Sequence, residues 1–212
     1  MTLQRAVQLG IVLAGAFLGG SVAVVAIDLP HATPPRPSGA AVARIAPAPA
    51  QYNPAAPRLR PAPPSRLAIP TLGVDAKVEA AGPTPQLTLG RPGDVSDVAW
   101  YDLGPSPGQP GDAILVGHLD TQTGAPAVFW RLGALNRGDR LEVARTDRVH
   151  VNFRVERVYE TPYDSVPAGL FATEGPARVT LITCAGAWDA GTHTYSKRLM
   201  VEATIAGAQE EK

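Results

Sequence analysis

Cysteine is almost absent from this sequence, since Cys184 is the only one among 212 residues. A lone thiol cannot close a disulfide within the chain, which excludes an internally cross-linked fold. Cys184 is therefore either a small apolar packing residue or a side chain kept for its reactivity. It closes an apolar, β-favouring run, 179–184, directly before Ala185-Gly186. We expect the strand to end there, where a side chain faces both scaffold and solvent, and this favours the reactive alternative.

Net charge is absent as well, because 19 Lys and Arg balance 19 Asp and Glu. The balance is uneven along the chain: residues 29–74 contain five arginines and no acid, whereas residues from Asp75 onward contain 13 basic and 18 acidic side chains. The sequence thus predicts a basic tether joined to a mildly acidic domain. The tether could lie along an anionic surface or remain solvated and disordered.

Charged side chains are missing from residues 6–27, where Gln8 and Ser21 are the only polar ones. The stretch is long enough to span roughly 30 Å of hydrocarbon. The stretch is longer than the apolar part of a cleaved signal peptide, so we expect an uncleaved anchor. Cleavage after residues 24–26 is the alternative. Arg5 on the short flank predicts a single-pass cell-membrane protein whose chain after residue 27 lies outside the cell. A free thiol in that environment is exposed to oxidation, so we expect it only where it is shielded or has a function.

Large aliphatic residues are scarce between positions 30 and 64, where 11 of the 22 prolines occur. Such a segment cannot build a core and is typical of an extended, partly polyproline stalk. We therefore divide the chain into a transmembrane signal anchor (1–28), a Pro/Ala/Arg-rich linker (29–65), a folded domain (66–206) and a polar tail (207–212).

Helical periodicity is scarce within the folded domain. The expected strands are 66–69, 76–79, 113–117, 140–144, 150–159, 178–184 and 198–205, with another possible at 86–89. Seven or eight short strands predict a barrel or a sandwich. One window, 126–135, predicts a short helix that covers the barrel, because it opens with proline and places Val128, Leu132 and Leu135 on one face. The segments 91–94 and 137–139 predict turns.

A histidine and an arginine are the candidates to act together with Cys184. His118 follows the apolar strand 113–117 and has a rigid base, whereas His193 lies nearer in sequence but in a polar turn, so we favour His118 as the partner. Arg198 opens a strand that could pair with 178–184. It is then either an edge charge or a cation beside the thiol that can hold an oxyanion or a substrate carbonyl. A thiol of ordinary pKa is only a few per cent thiolate at neutral pH, so a neighbouring cation is needed to raise that fraction.

Three separated motifs occur in the order His, Cys, Arg. Residues 116–118 read Val-Gly-His, residues 180–184 read Thr-Leu-Ile-Thr-Cys, and residues 195–198 read Tyr-Ser-Lys-Arg. These resemble the histidine element, the T-L-x-T-C strand and the arginine strand of the sortase family. Segments 98–101, 117–120 and 124–129 most resemble the actinobacterial class F sortases, with class E second. The Ser-His-Gly-Cys signature of L,D-transpeptidases is absent.

The resemblance implies a closed eight-stranded β-barrel with one or two short helices and a cysteine transpeptidase of the hydrolase class. Cys184 would cleave an LPxTG-like sorting signal between Thr and Gly through a thioester. His118 would move protons and Arg198 would steady the oxyanion. A cell-wall amine would take up the secreted protein, and no nucleic acid partner is implied. A non-catalytic peptide-binding module on a degenerate barrel is the rival hypothesis.

No metal or other cofactor is expected, because the loop 159–177 holds only three scattered acids. Val166 and Leu170 in that loop either wall an apolar pocket for the Leu-Pro part of a signal or anchor the loop to the core. Trp188 and Tyr195 either cover the site or pack. The resemblance also assigns Thr183 and Asp120 to the substrate site. Thr183 stands next to Cys184 in the sequence, and Asp120 stands near His118.

Overall fold

The computed structural model describes residues 59–85 and 88–210. The predicted anchor and residues 29–58 of the predicted linker lie outside this part of the chain. Within it, no helix is both long and apolar enough to cross a membrane.

Eight strands form a closed β-barrel, as the resemblance implied. Their order around the barrel is β1-β2-β3-β4-β7-β8-β6-β5. The pairs β2–β3 and β4–β7 are parallel, and the other neighbours are antiparallel. The strands are β1 (Pro64–Ile69), β2 (Val74–Ala81), β3 (Val98–Tyr101), β4 (Asp112–Gly117), β5 (Arg140–Arg145), β6 (Val149–Pro162), β7 (Arg178–Asp189) and β8 (Thr194–Glu210).

The eighth strand is Val98–Tyr101, which was not among the expected strands; residues 86 and 87 of the possible strand at 86–89 lie outside the described part of the chain. β3 has only four residues, of which the first three are buried, so it shows no alternation of apolar and polar positions. It lies between β2 and β4 and pairs with both. In the region proposed for the strand, Leu89 forms one isolated bridge with Pro83.

The helix expected at 126–135 is wrong except for one 3₁₀ turn, Leu132–Ala134. A 3₁₀ turn of the same length occurs earlier, at Pro70–Leu72. Backbone bonds to the residue three positions before occur only at Trp130, Leu132, Ala134 and Leu135, whereas the N–H groups of Ala127, Val128 and Phe129 bond to distant segments. So short a segment gains little from regular α-helical bonds, and tertiary packing decides its path. Phe129, Leu132 and Leu135 are buried in the core, and Val128 packs against them.

Three strands run at least three residues past their expected C-terminal ends. β7 continues past Cys184 to Asp189, with a bulge between Ala185 and Trp188, so the cysteine does not end its strand. β6 reaches Pro162, which shortens the following loop to 163–177. β8 extends to Glu210 because the start of β6 supplies a pairing edge, so residues 207–210 form strand where a tail was expected.

The two faces of β7 have different surroundings. Val179 and Leu181 point into the barrel and are fully buried in its main core. Thr180 and Ile182 alternate to the outer face. There a second group of buried side chains, which we call the outer apolar cluster, consists of Ile114, Leu170, Ile182 and Met200. The site described next continues this outer face.

Candidate active site

Strand register brings His118, Cys184 and Arg198 into one row on the outer face. Cys184 and Arg198 are direct partners in the β7–β8 ladder. Val116 pairs with Ile182 in the parallel β4–β7 ladder, and two residues further along each chain come His118 and Cys184. Neighbouring strands lie about 4.8 Å apart, so Arg198 stands beside Cys184 on β8, and the segment that leaves the end of β4 with His118 lies on the cysteine's other side. All three side chains are half-buried.

The position of His118 is set by the residues around Gly117. Thr183 Oγ1 donates a hydrogen bond of 2.9 Å to the Gly117 carbonyl, which holds the end of β4 against β7. The Phe129 backbone N–H donates to the His118 carbonyl at 2.9 Å. The Phe129 ring also packs so closely on Gly117 that a Cβ there would lie 2.6 Å from its Cε2 atom. Glycine is therefore required before the histidine.

The imidazole of His118 has one hydrogen-bonding partner in the described structure, the carbonyl of Pro92, 3.2 Å from Nε2. Pro92 is buried and belongs to the segment that joins β2 to β3. The turn predicted at 91–94 thus lies against the histidine, a contact that sequence reasoning missed.

Arg198 donates through Nη1 to the carbonyls of Tyr195 (3.2 Å) and Lys197 (2.9 Å) on its own strand. Its guanidinium carbon lies 5.8 Å from the centre of the Tyr163 ring. Because a guanidinium has five N–H donors, these bonds leave others for a ligand beside Cys184.

The electrostatics at Cys184 favour the thiol over the thiolate. Burial raises the pKa of Cys184, the Arg198 charge lowers it, the Asp120 carboxylate raises it and the Arg91 charge lowers it. The net direction is upward, so burial outweighs the cations that we expected to activate the thiol. Arg91 was not among the candidate residues; the turn that contains it was predicted, but without a role in the site.

Asp120 and Tyr195 form a direct contact across the row. The Tyr195 hydroxyl donates to Asp120 Oδ2, which connects the segment after His118 with the start of β8. Burial raises the pKa of Tyr195, and the hydrogen bond to Asp120 raises it further. Trp188 packs edge-on against Tyr195, with ring centres 5.1 Å apart. His193 contacts the other end of this group through Trp188 and is exposed.

The remaining candidates lie in different surroundings. Leu170 is buried in the outer apolar cluster and anchors the 163–177 loop there, whereas Val166 is 67% exposed on the same loop. The hydroxyl of Thr183 is occupied by Gly117, and the residue is buried. Among residues 59–85 and 88–210, no group of three His, Cys, Asp or Glu side chains could hold a metal ion.

Residues 67–206 match the family model for the sortase domain. The structure resembles sortase A of Listeria monocytogenes, with a TM-score of 0.54 and 17% identity over 72% of this chain and 92% of that one. It also resembles sortase C-1 of Actinomyces oris, with a TM-score of 0.52 and 21% identity over 67% and 73% of the two chains. No curated protein matches the sequence. The domain match covers well over half of the chain, and the chain therefore belongs to the sortase family.

Proposed function

We propose that the protein is a membrane-anchored class F sortase that cleaves an LPxTG-like sorting signal between Thr and Gly. It would transfer the secreted protein to an amine of the cell wall. The observation that carries this proposal is the row of His118, Cys184 and Arg198 on the outer face. A nucleophile, a proton carrier and a permanent cation are thereby presented side by side to an extended peptide.

The proposed reaction has two halves. In the first, the Cys184 proton passes to His118, and the sulfur attacks the Thr carbonyl to give a tetrahedral oxyanion beside Arg198. The Thr–Gly bond then breaks, and His118 returns its proton to the departing amine, which leaves a thioester. In the second half an incoming amine attacks the thioester, gives a proton to His118 and releases Cys184. Water in place of the amine gives hydrolysis.

The outer apolar cluster supports an apolar signal. It lies directly beside the catalytic row, since Ile182 precedes Cys184 by two residues and Met200 follows Arg198 by two. Leu170 brings the 163–177 loop onto this surface, and the exposed Val166 lies on the same loop. These side chains fit the Leu-Pro part of a signal, for which Trp188 and Tyr195 supply an aromatic boundary beyond the row.

The proposal includes the cellular location. Residues 6–27 are proposed as the transmembrane anchor, residues 29–65 as the stalk, and the barrel as an extracellular domain. The class F assignment rests on the Gly-His-Leu-Asp and Gly-Ala-Pro-Ala-Val-Phe segments of the sequence.

Cleavage of a quenched LPxTG-type peptide by the full chain, with and without an added amine, tests the activity. We expect turnover by the wild type, faster release with amine, and at least about 10³-fold loss in Cys184→Ala and His118→Ala. His193→Ala is the matched control and should retain turnover. A wild type that binds the peptide without cleaving it would instead be the non-catalytic module. A His193→Ala variant that alone loses turnover would move the proton carrier to that residue.

A further inference from the structure

One peptide group, Pro92–Gly93, lies between the imidazole of His118 and the carboxylate of Glu79. Its carbonyl oxygen is 3.2 Å from His118 Nε2. Its N–H donates to Glu79 Oε1 at 2.6 Å. A single peptide bond therefore links the carboxylate to the histidine, with its N–H on the carboxylate and its carbonyl on the imidazole.

The carbonyl determines which ring nitrogen keeps its hydrogen. A carbonyl oxygen can only accept, so Nε2 must carry a hydrogen whenever this bond is made. That holds for the neutral ring and for the imidazolium alike. The proton that is gained and lost during a reaction is then the one on Nδ1.

The peptide is held firmly enough to orient a ring. Pro92 is buried, and the proline ring restricts the backbone at this point. Just before it, Gly90 packs against the end of β2, where a Cβ would lie 2.5 Å from the Gly82 carbonyl oxygen and 2.8 Å from Ala81 Cβ. Glu79 itself stands on β2, paired with Ala99 of β3, so the carboxylate belongs to the barrel wall.

We propose that Glu79 is a positioning residue for the catalytic histidine and that it acts through the Pro92–Gly93 peptide. A negative charge at the N–H end polarises the peptide and makes its carbonyl a stronger acceptor for Nε2–H. This fixes the tautomer and the ring orientation, the task that a carboxylate performs directly in serine-type triads.

The proton steps follow from this arrangement. Neutral His118, with hydrogen on Nε2, accepts the Cys184 proton at Nδ1 and becomes the imidazolium. It then gives the Nδ1 proton to the departing amine and returns to the same neutral tautomer. The Nε2 hydrogen stays on the ring and donates to the Pro92 carbonyl throughout, so no proton reaches Glu79.

The catalytic part of this proposal rests on the proposed function, whereas its tautomer part does not. The test therefore uses two readouts on the full chain. Nitrogen-15 NMR of the histidine rings, assigned with His118→Ala, reports the tautomer without substrate. Peptide cleavage reports kcat and KM separately. Glu79→Gln keeps an acceptor for the Gly93 N–H but removes the charge, and Glu79→Ala removes both. Glu142→Gln is the matched control, because Glu142 contacts a different histidine, His150, at 2.7 Å on the other side of the barrel.

We expect the wild-type His118 ring to be the Nε2–H tautomer and the Glu79→Ala ring to be a mixture of both tautomers. We expect kcat to fall about 10-fold in Glu79→Gln and further in Glu79→Ala, with KM and the Glu142→Gln variant unchanged. A wild-type ring with hydrogen on Nδ1 overturns the proposal, whether or not the protein cleaves a peptide. Wild-type kcat in both Glu79 variants of an active enzyme overturns it as well and leaves the proposed function standing. If Glu79→Ala does not fold, the wild-type tautomer and the kcat of Glu79→Gln decide.

Discussion

Replacing Gly117 by alanine should damage both the stability and the activity of this protein. The added Cβ would lie 2.6 Å from Cε2 and 2.9 Å from Cγ of Phe129, whose side chain is fully buried. Ordinary carbon contacts are about 3.5–4.0 Å, so ring or strand must move by roughly 1 Å. Overpacking of this kind costs about 1–3 kcal/mol of unfolding free energy. For a domain of this size, that is a fall in Tm of roughly 3–10 °C.

The same displacement reaches the catalytic row, because the Phe129 backbone N–H bonds to the His118 carbonyl. A shift of about 1 Å in a catalytic group can reduce turnover about 100-fold, and we expect a loss of that order in kcat. Thermal unfolding and peptide cleavage measure the two effects. Gly207→Ala is the matched control, since a Cβ at that position meets nothing within 4 Å.

A double variant separates steric conflict from other causes. Phe129→Leu shortens the side chain that the alanine would strike, so Gly117→Ala should cost less in that background, with a coupling energy of about 1 kcal/mol or more. Unchanged Tm and kcat in Gly117→Ala would refute the reasoning. Equal losses of unfolding free energy on Gly117→Ala, with and without Phe129→Leu, would refute it as well.

Two further predictions concern ionisation. The pH midpoint for alkylation of Cys184 should rise in Arg198→Ala, rise less in Arg91→Ala and fall in Asp120→Asn, because the two cations lower the pKa of the thiol and the carboxylate raises it. Identical midpoints in all variants would contradict this electrostatic account. Burial raises the pKa of Asp112 to about 6, above the value of 3.8 for a free side chain. Its stabilising contribution is therefore present below pH 4 and lost as the pH rises through 6. Relative to Asp112→Asn, the wild type should lose about 2 kcal/mol of unfolding free energy between pH 4 and pH 7 in denaturant titrations, and parallel pH curves would be evidence against it.

The parts of the fold that sequence could predict are those whose signal is local. Alternation of apolar and polar residues marks β5 and β6, and their strands were placed within a few residues. β3 was missed because three consecutive buried residues, Val98 to Trp100, show no alternation. The continuation of β7 to Asp189 was missed because its Ala-Gly pair resembles a turn, whereas pairing with the start of β8 makes it a bulge.

The residues of the candidate site also differ in whether a local sequence signal marks them. His118, Cys184 and Arg198 could be proposed as candidates because each adjoins a recognisable strand and together they resemble a family pattern. The β7–β8 ladder pairs Cys184 with Arg198, and the β4–β7 ladder ends at Val116 and Ile182, two residues before His118 and Cys184. Arg91 and Glu79 could not be found, because their relation to the row depends on how the segment between β2 and β3 folds back. No spacing in the sequence encodes that path.

The parallel pairing of β4 with β7 also bears on when the protein becomes reactive. His118 and Cys184 become neighbours only when strands 66 residues apart, joined at Gly117 and Thr183, have met. Contacts of such separation form late in folding, since the long loop between them must first be closed. Until the barrel closes, the Cys184 thiol therefore has neither His118 nor Arg198 beside it. Assembly of the candidate site is then the closure of the barrel itself.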